Sequence, residues 1–224
     1  MATSPEAGCH QEIVAHIRRE GTLFFVLQLA AALAFSADLP LISALRSPTE
    51  AGTYAIVQRL FSIVPLSLSL AWAPLWPIYR QALAAGDHDW VFRTLRRSVL
   101  LAVLFACVTA AVLALGFDHI IGLWMHTPLT VSATMLGGFV AWSILDAAGS
   151  GLGTFLNAAS ILRYQVILAV AFGASCVAAK IIALKAMGID VLPWVTALTY
   201  LTITLLPIWL LRHRIKQIVL SKNY

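Results

Sequence analysis

The sequence predicts an all-α membrane protein, a bundle of about six transmembrane helices, and three observations carry that prediction. Hydrophobic residues occupy 60% of 224 positions and charged residues 11%, with a mean hydropathy of +0.87. Such a chain lacks the polar surface a water-soluble domain needs. Its apolar residues fall into six runs near the length of about 20 residues that crosses a bilayer. Its basic residues gather in every second connection, as they do when one set of loops stays on the cytoplasmic side.

The runs are residues 21–45, 53–79, 98–117, 130–158, 164–187 and 192–211. Residues 1–20 read as a cytoplasmic amphipathic segment, 21–211 as the six-helix domain and 212–224 as a basic cytoplasmic tail. Glu6, Glu12, Arg18, Arg19 and Glu20 leave the first segment without the apolar core of a secretory signal peptide. Between the runs stand 46–50, 80–97, 118–128, 160–163 and 188–190. The longest, with Asp87, His88, Asp89 and Trp90 ahead of Arg93, Arg96 and Arg97, reads as an interfacial amphipathic helix. The stretch from Asp118 to Pro128 reads as an outer loop. Pro74 and Pro77 mark either a kink in helix two or its end.

With a cytoplasmic amino terminus, eleven of the fifteen basic residues fall inside, including Arg80, Arg93, Arg96, Arg97, Arg163, Arg212 and Lys216. Both termini are then cytoplasmic, and the chain is expected in the cell's inner membrane. Lys180 and Lys185, near the outer end of helix five, are expected to snorkel to headgroups. Trp72, Trp76, Trp124, Trp194 and Trp209 read as interfacial anchors.

The net charge of +5 does not indicate nucleic acid, because the basic residues sit in short tracts beside apolar runs and form no basic face. Cys9, Cys107 and Cys176 have neither metal nor redox spacing, so no metal or other cofactor is expected. Ser150 between glycines raises an intramembrane serine protease, but no histidine falls within a predicted helix to serve as its base. A phosphate-cradling GxxxxGK is absent. The expectation is a protein that is not an enzyme.

Function in such a chain is sought at polar groups inside the spans, where exposure to hydrocarbon costs several kcal/mol. Asp38, Arg59, Asp146 and Asn157 stand out. Counted from the helix ends, Asp38 and Arg59 reach a similar depth, roughly 10 Å below the outer interface. They read either as a structural ion pair or as two walls of a water-filled cavity for an anionic cargo or a coupling ion. Arg59, Ser62 and Ser69 share one helical face, whereas Gln28 and Asp38 align less closely. On helix four, Trp142, Asp146, Gly149, Gly153 and Asn157 advance by four, three, four and four, placing them on one inward face. Gly149, Ser150, Gly151 and Gly153 fit close helix packing as well as a hinge or substrate contact.

The stretch Phe24 to Asp38 and the segment Tyr54-Ala55-Ile56-Val57-Gln58-Arg59-Leu60-Phe61 carry a resemblance. So do the Leu75-Trp76-Pro77-Ile78-Tyr79 exit, the Gly86-Asp87 turn before Trp90, and the Arg96-Arg97 start of helix three. Together they resemble the carboxy-terminal half of a Wzx-type polysaccharide, or O-antigen, flippase of the MATE-like transporter superfamily. The resemblance implies a lipid-linked oligosaccharide as cargo in polysaccharide or lipopolysaccharide synthesis, and a central cavity worked by alternating access. It also implies a second wall, either an amino-terminal half or another copy of the chain. Arg59 would attract the cargo pyrophosphate and Asp38 would hold or release it, with Asp146, Asn157 and Gln28 further along the pathway. A drug or small-solute exporter of the same superfamily, and a noncatalytic membrane subunit or inactive remnant, are the alternatives.

Overall fold

The computed structural model describes Arg18, residues 21–29, Ala32, residues 34–125 and residues 129–221. Among the described residues there are helices and turns and no strand. Six helical stretches are long and apolar enough to cross a bilayer: Gly21–Leu45, Pro48–Ala84, His88–Leu115, Ala133–Ala158, Leu162–Met187 and Ile189–Leu210. The protein is a multi-pass, all-α membrane bundle.

The helices that position its polar groups begin with α1 (Asp38–Leu45), α2 (Pro48–Phe61) and α3 (Ile63–Ala84). Then come α4 (His88–Leu115), the short α5 (Phe117–Met125), α6 (Ala133–Ala158) and α7 (Leu162–Met187). The last span is α8 (Leu192–Tyr200), a π-helical turn Leu201–Leu205 and α9 (Leu206–Leu210), followed by α10 (Arg212–Ser221).

Local chemistry sets the boundaries. Ser47 caps α2 by accepting the Glu50 amide at 3.2 Å, with Pro48 in the first turn. The helix therefore starts five residues earlier than the apolar run, with Thr49 and Glu50 inside it. The second span breaks at Ser62, three residues before Pro65, which has no N–H to offer the carbonyl of Phe61. Pro74 and Pro77 do not end that span, since α3 continues through both to Ala84.

Two expectations about connections are corrected. Residues 80–97 form no separate interfacial helix: α3 runs to Ala84, Gly86 turns the chain at φ 75°, and Asp87 caps α4 by accepting the Trp90 amide. The tract is polar because two helix ends meet there. The outer connection contains helix α5, so His119 is helical; His126 lies outside the described residues. The carboxy-terminal tail includes α10, whose Ile215 and Val219, four residues apart, are buried with Tyr79, Leu83, Val91 and Phe155.

Helix α6 is the hub, packed chiefly against α3, α4 and α8. Ala102, Ala106 and Ala110, at intervals of four, form the buried stripe of α4. Glycines on α6 admit large aromatic neighbours: a Cβ on Gly151 would stand 2.9 Å from the Trp72 ring, and one on Gly149 would collide with the Tyr200 hydroxyl. The Tyr200 ring is itself held between Trp142 and Phe172, each with its centroid 5.3 Å away. Gly149→Ala is expected to destabilise the bundle by about 1–3 kcal/mol through overpacking. Gly153→Ala, whose Cβ meets nothing within 4 Å, should be neutral or slightly stabilising, as helix propensity favours alanine. Thermal melts of the two variants in one detergent test this, and equal melting temperatures would refute it.

Trp72 does not anchor at the lipid interface. It is buried, and its indole N–H donates to Ser150 Oγ at 3.1 Å, binding α3 to α6. Ser150 in turn donates to the Ala147 carbonyl, an ordinary use of a helical serine. Trp194 is exposed and donates to the Thr134 carbonyl, while Trp76, Trp124 and Trp209 are exposed. Cys107 and Cys176 are free thiols, half-buried and buried.

Candidate functional site

Asp38, at the start of α1, is buried at 4% exposure. One carboxylate oxygen accepts the Tyr54 hydroxyl at 3.0 Å, and the other faces the Lys180 ammonium at 2.5 Å. Lys180 is 0% exposed. It also donates to the carbonyl of Ala34 at 3.1 Å. Carboxylate, phenol, ammonium and carbonyl thus join spans one, two and five in a satisfied polar knot, the condition under which buried charge is tolerated.

Two expectations fail here. Lys180 does not snorkel, and Asp38 does not pair with Arg59. Across the hairpin it is Tyr54 that lies opposite Asp38. Arg59, five residues beyond, is turned about 140° around the helix. Its side chain is exposed, and the ion pairs among the described residues are Arg46–Glu50 and Asp38–Lys180. Depth held a usable signal: Asp38 stands seven residues before the end of α1 and Lys180 seven before the end of α7.

Beside the knot lies a cavity of about 300 Å³, lined by Asp38, Tyr54, Gln58, Ser143, Asp146 and Thr196 with aromatic walls from Phe35, Phe139 and Trp142. A second cavity, of about 180 Å³, holds Gly149, Gly153, Gln165, Tyr200 and Thr204. Phe35 and Asp146 border both. Asp146 is half-buried and has no ion pair among the described residues. It is the carboxylate shared by the two chambers.

The predicted stripe of α6 divides between these places. Trp142 and Asp146 face the first cavity; Asp146, Gly149 and Gly153 face the second. Asn157 accepts the Gln165 amide at 3.0 Å and so bridges α6 to α7. Gln28 is exposed and lines neither cavity. Arg59 borders a separate depression with Trp124, and Gln58 and Ser62 line both that depression and the first cavity. Ser62 and Ser69 spend their hydroxyl protons on the carbonyls of Arg59 and Leu66.

Sequence reasoning missed Lys180, Tyr54, Gln58, Gln165 and Tyr200 as members of the polar interior. Tyrosine and glutamine in an apolar run carry no charge to attract notice, and helical spacing alone does not say which face meets which neighbour. No protein-family model, curated protein or solved structure matches this chain.

Proposed function

We propose that the chain is one six-helix wall of a membrane transporter that moves a lipid-linked oligosaccharide by alternating access. One observation carries the transport reading: an aromatic-walled cavity between spans bordered by Asp146, whose carboxylate has no ion-pair partner among the described residues. A carboxylate at that depth calls for water, a cation or a polar cargo. The cargo class rests on the resemblance of residues 24–38, 54–61 and 75–79, the Gly86-Asp87 turn before Trp90, and Arg96-Arg97 to polysaccharide flippases.

Roles are assigned differently from those the sequence implied. Asp38 holds Lys180 and Tyr54 and is a structural group. Arg59, in its depression next to Gln58 and Ser62, is the cation available to a cargo pyrophosphate through charge-assisted hydrogen bonds. Gln58, Ser143 and Asp146 offer polar contacts to sugar hydroxyls in the adjoining cavity. A second wall, from an amino-terminal half or another copy, completes the pathway.

One observation favours a drug or small-solute exporter instead: the cavity is bordered by the Asp146 carboxylate and by no lysine or arginine, and the buried ammonium of Lys180 is committed to Asp38. Reconstitution distinguishes the two. In vesicles carrying the protein with its second wall, a fluorescent lipid-linked oligosaccharide should cross and Arg59→Gln should slow it. Transport of a drug cation in its place would establish the exporter. Robust lipid transport by verified single six-helix monomers would refute the half-transporter reading.

A further inference from the structure

The basic end of the bundle holds a feature that the transport reading does not use. Residues of α10 join the start of α4 in one buried cluster, Ile215 and Val219 with Val91, and residues of both helices line two adjoining hollows. One, of about 260 Å³, is walled by Leu95, Leu152, Phe155 and Ile208 and edged by Arg212 and Lys216. The other, of about 360 Å³, is lined by Asp89, Phe92, Arg93, Arg96 and Lys216. Phe92 and Lys216 form the partition, with the ammonium 5.3 Å above the ring. Arg212 stands over Trp209 at 4.7 Å.

Arg93, Arg96, Arg212 and Lys216 are exposed, and none of them has an ion pair among the described residues. Against them the hollows hold the single carboxylate of Asp89. An apolar chamber directly beside an uncompensated basic one matches an amphiphile with acyl chains and an anionic head. A free phosphate would leave the chamber of Leu95, Leu152 and Phe155 unfilled, and a neutral lipid would leave the cations unmatched. Basic pockets between helices at the membrane surface recognise phosphate headgroups for this reason.

We infer that this groove between α4 and α10 binds an anionic phospholipid, its phosphate on Arg93, Arg96, Arg212 and Lys216 and an acyl chain in the Leu152 chamber. The excess of three positive charges, four cations against Asp89, favours a headgroup with two phosphates over one with a single phosphate. Binding would clamp α10 to the bundle, because Ile215 and Val219 already pack beneath it.

The test is lipid retention by the purified full chain, read by native mass spectrometry after exposure to equimolar diphosphatidylglycerol and phosphatidylcholine. Diphosphatidylglycerol should be retained preferentially. The double variant Arg212→Gln/Lys216→Gln should lower its apparent affinity on the order of thirtyfold, at about fivefold per basic residue. Leu152→Trp, which fills the apolar chamber without altering charge, should also reduce retention, while Arg46→Gln, outside both hollows, should not. The comparison of lipids on the unaltered protein needs no variant to fold. Equal retention of both lipids, competition by inorganic phosphate alone, or preference for a polyprenyl diphosphate would each overturn the inference.

Discussion

Lys180→Met is expected to destabilise the protein by about 3–5 kcal/mol, the cost of leaving a buried carboxylate without its cation. Asp38 has little other recourse. It is 4% exposed, and its remaining described hydrogen bond is from Tyr54. Asp38→Asn should be similarly harmful by stranding the ammonium, whereas Asp38→Asn/Lys180→Met, which removes both charges, should recover most of the loss. Arg59→Gln should change stability by less than about 0.5 kcal/mol, as is usual for an exposed side chain outside any network. Unfolding in mixed micelles, monitored by circular dichroism, measures all four. Strict additivity of Asp38→Asn with Lys180→Met would show that the pair makes no cooperative contribution, and strong coupling in a further Asp38→Asn/Arg59→Gln double variant would reverse the assignment.

The largest functional effect is expected at Asp146. Asp146→Asn keeps shape and hydrogen-bonding capacity but removes the charge from both chambers. Transport should fall about tenfold to a hundredfold, the equivalent of losing one charge-assisted interaction of about 1.5–3 kcal/mol. Folding should survive, because Asp146 has no ion pair to lose among the described residues. The pH profile of transport should flatten as well, since a titrating group has left the pathway. A structural role would move the melting temperature and leave the profile unchanged. Wild-type rates with an intact profile would exclude these cavities from the pathway.

Much of the architecture was legible because the signals are local. Each span declares itself within a window of some 20 residues by hydropathy alone. The inward face of α6 was equally readable, as Trp142, Asp146, Gly149 and Gly153 follow the helical period and now border the cavities. Periodicity failed at connections. Residues 80–97 looked like one amphipathic helix because the end of α3 and the start of α4 are both polar, and only the turn at Gly86 separates them.

The sequence by itself therefore determined that lipid is the solvent, how many times the chain can cross it, and that Asp38, Arg59, Asp146 and Asn157 would be costly in bare hydrocarbon. Those conclusions follow from transfer free energies that depend on residue type and neighbouring positions. Tertiary structure alone decided which groups provide the protection. Asp38 finds its cation 142 positions away on α7 rather than across the hairpin. Tyr54 rather than Arg59 meets Asp38 across the hairpin, and Arg59, five residues on, falls on another face of α2. Trp72 became an interior tie rather than an anchor because Gly151 leaves room for its ring. Such choices depend on register and on the size of side chains in distant spans, quantities that exist only once the helices have packed.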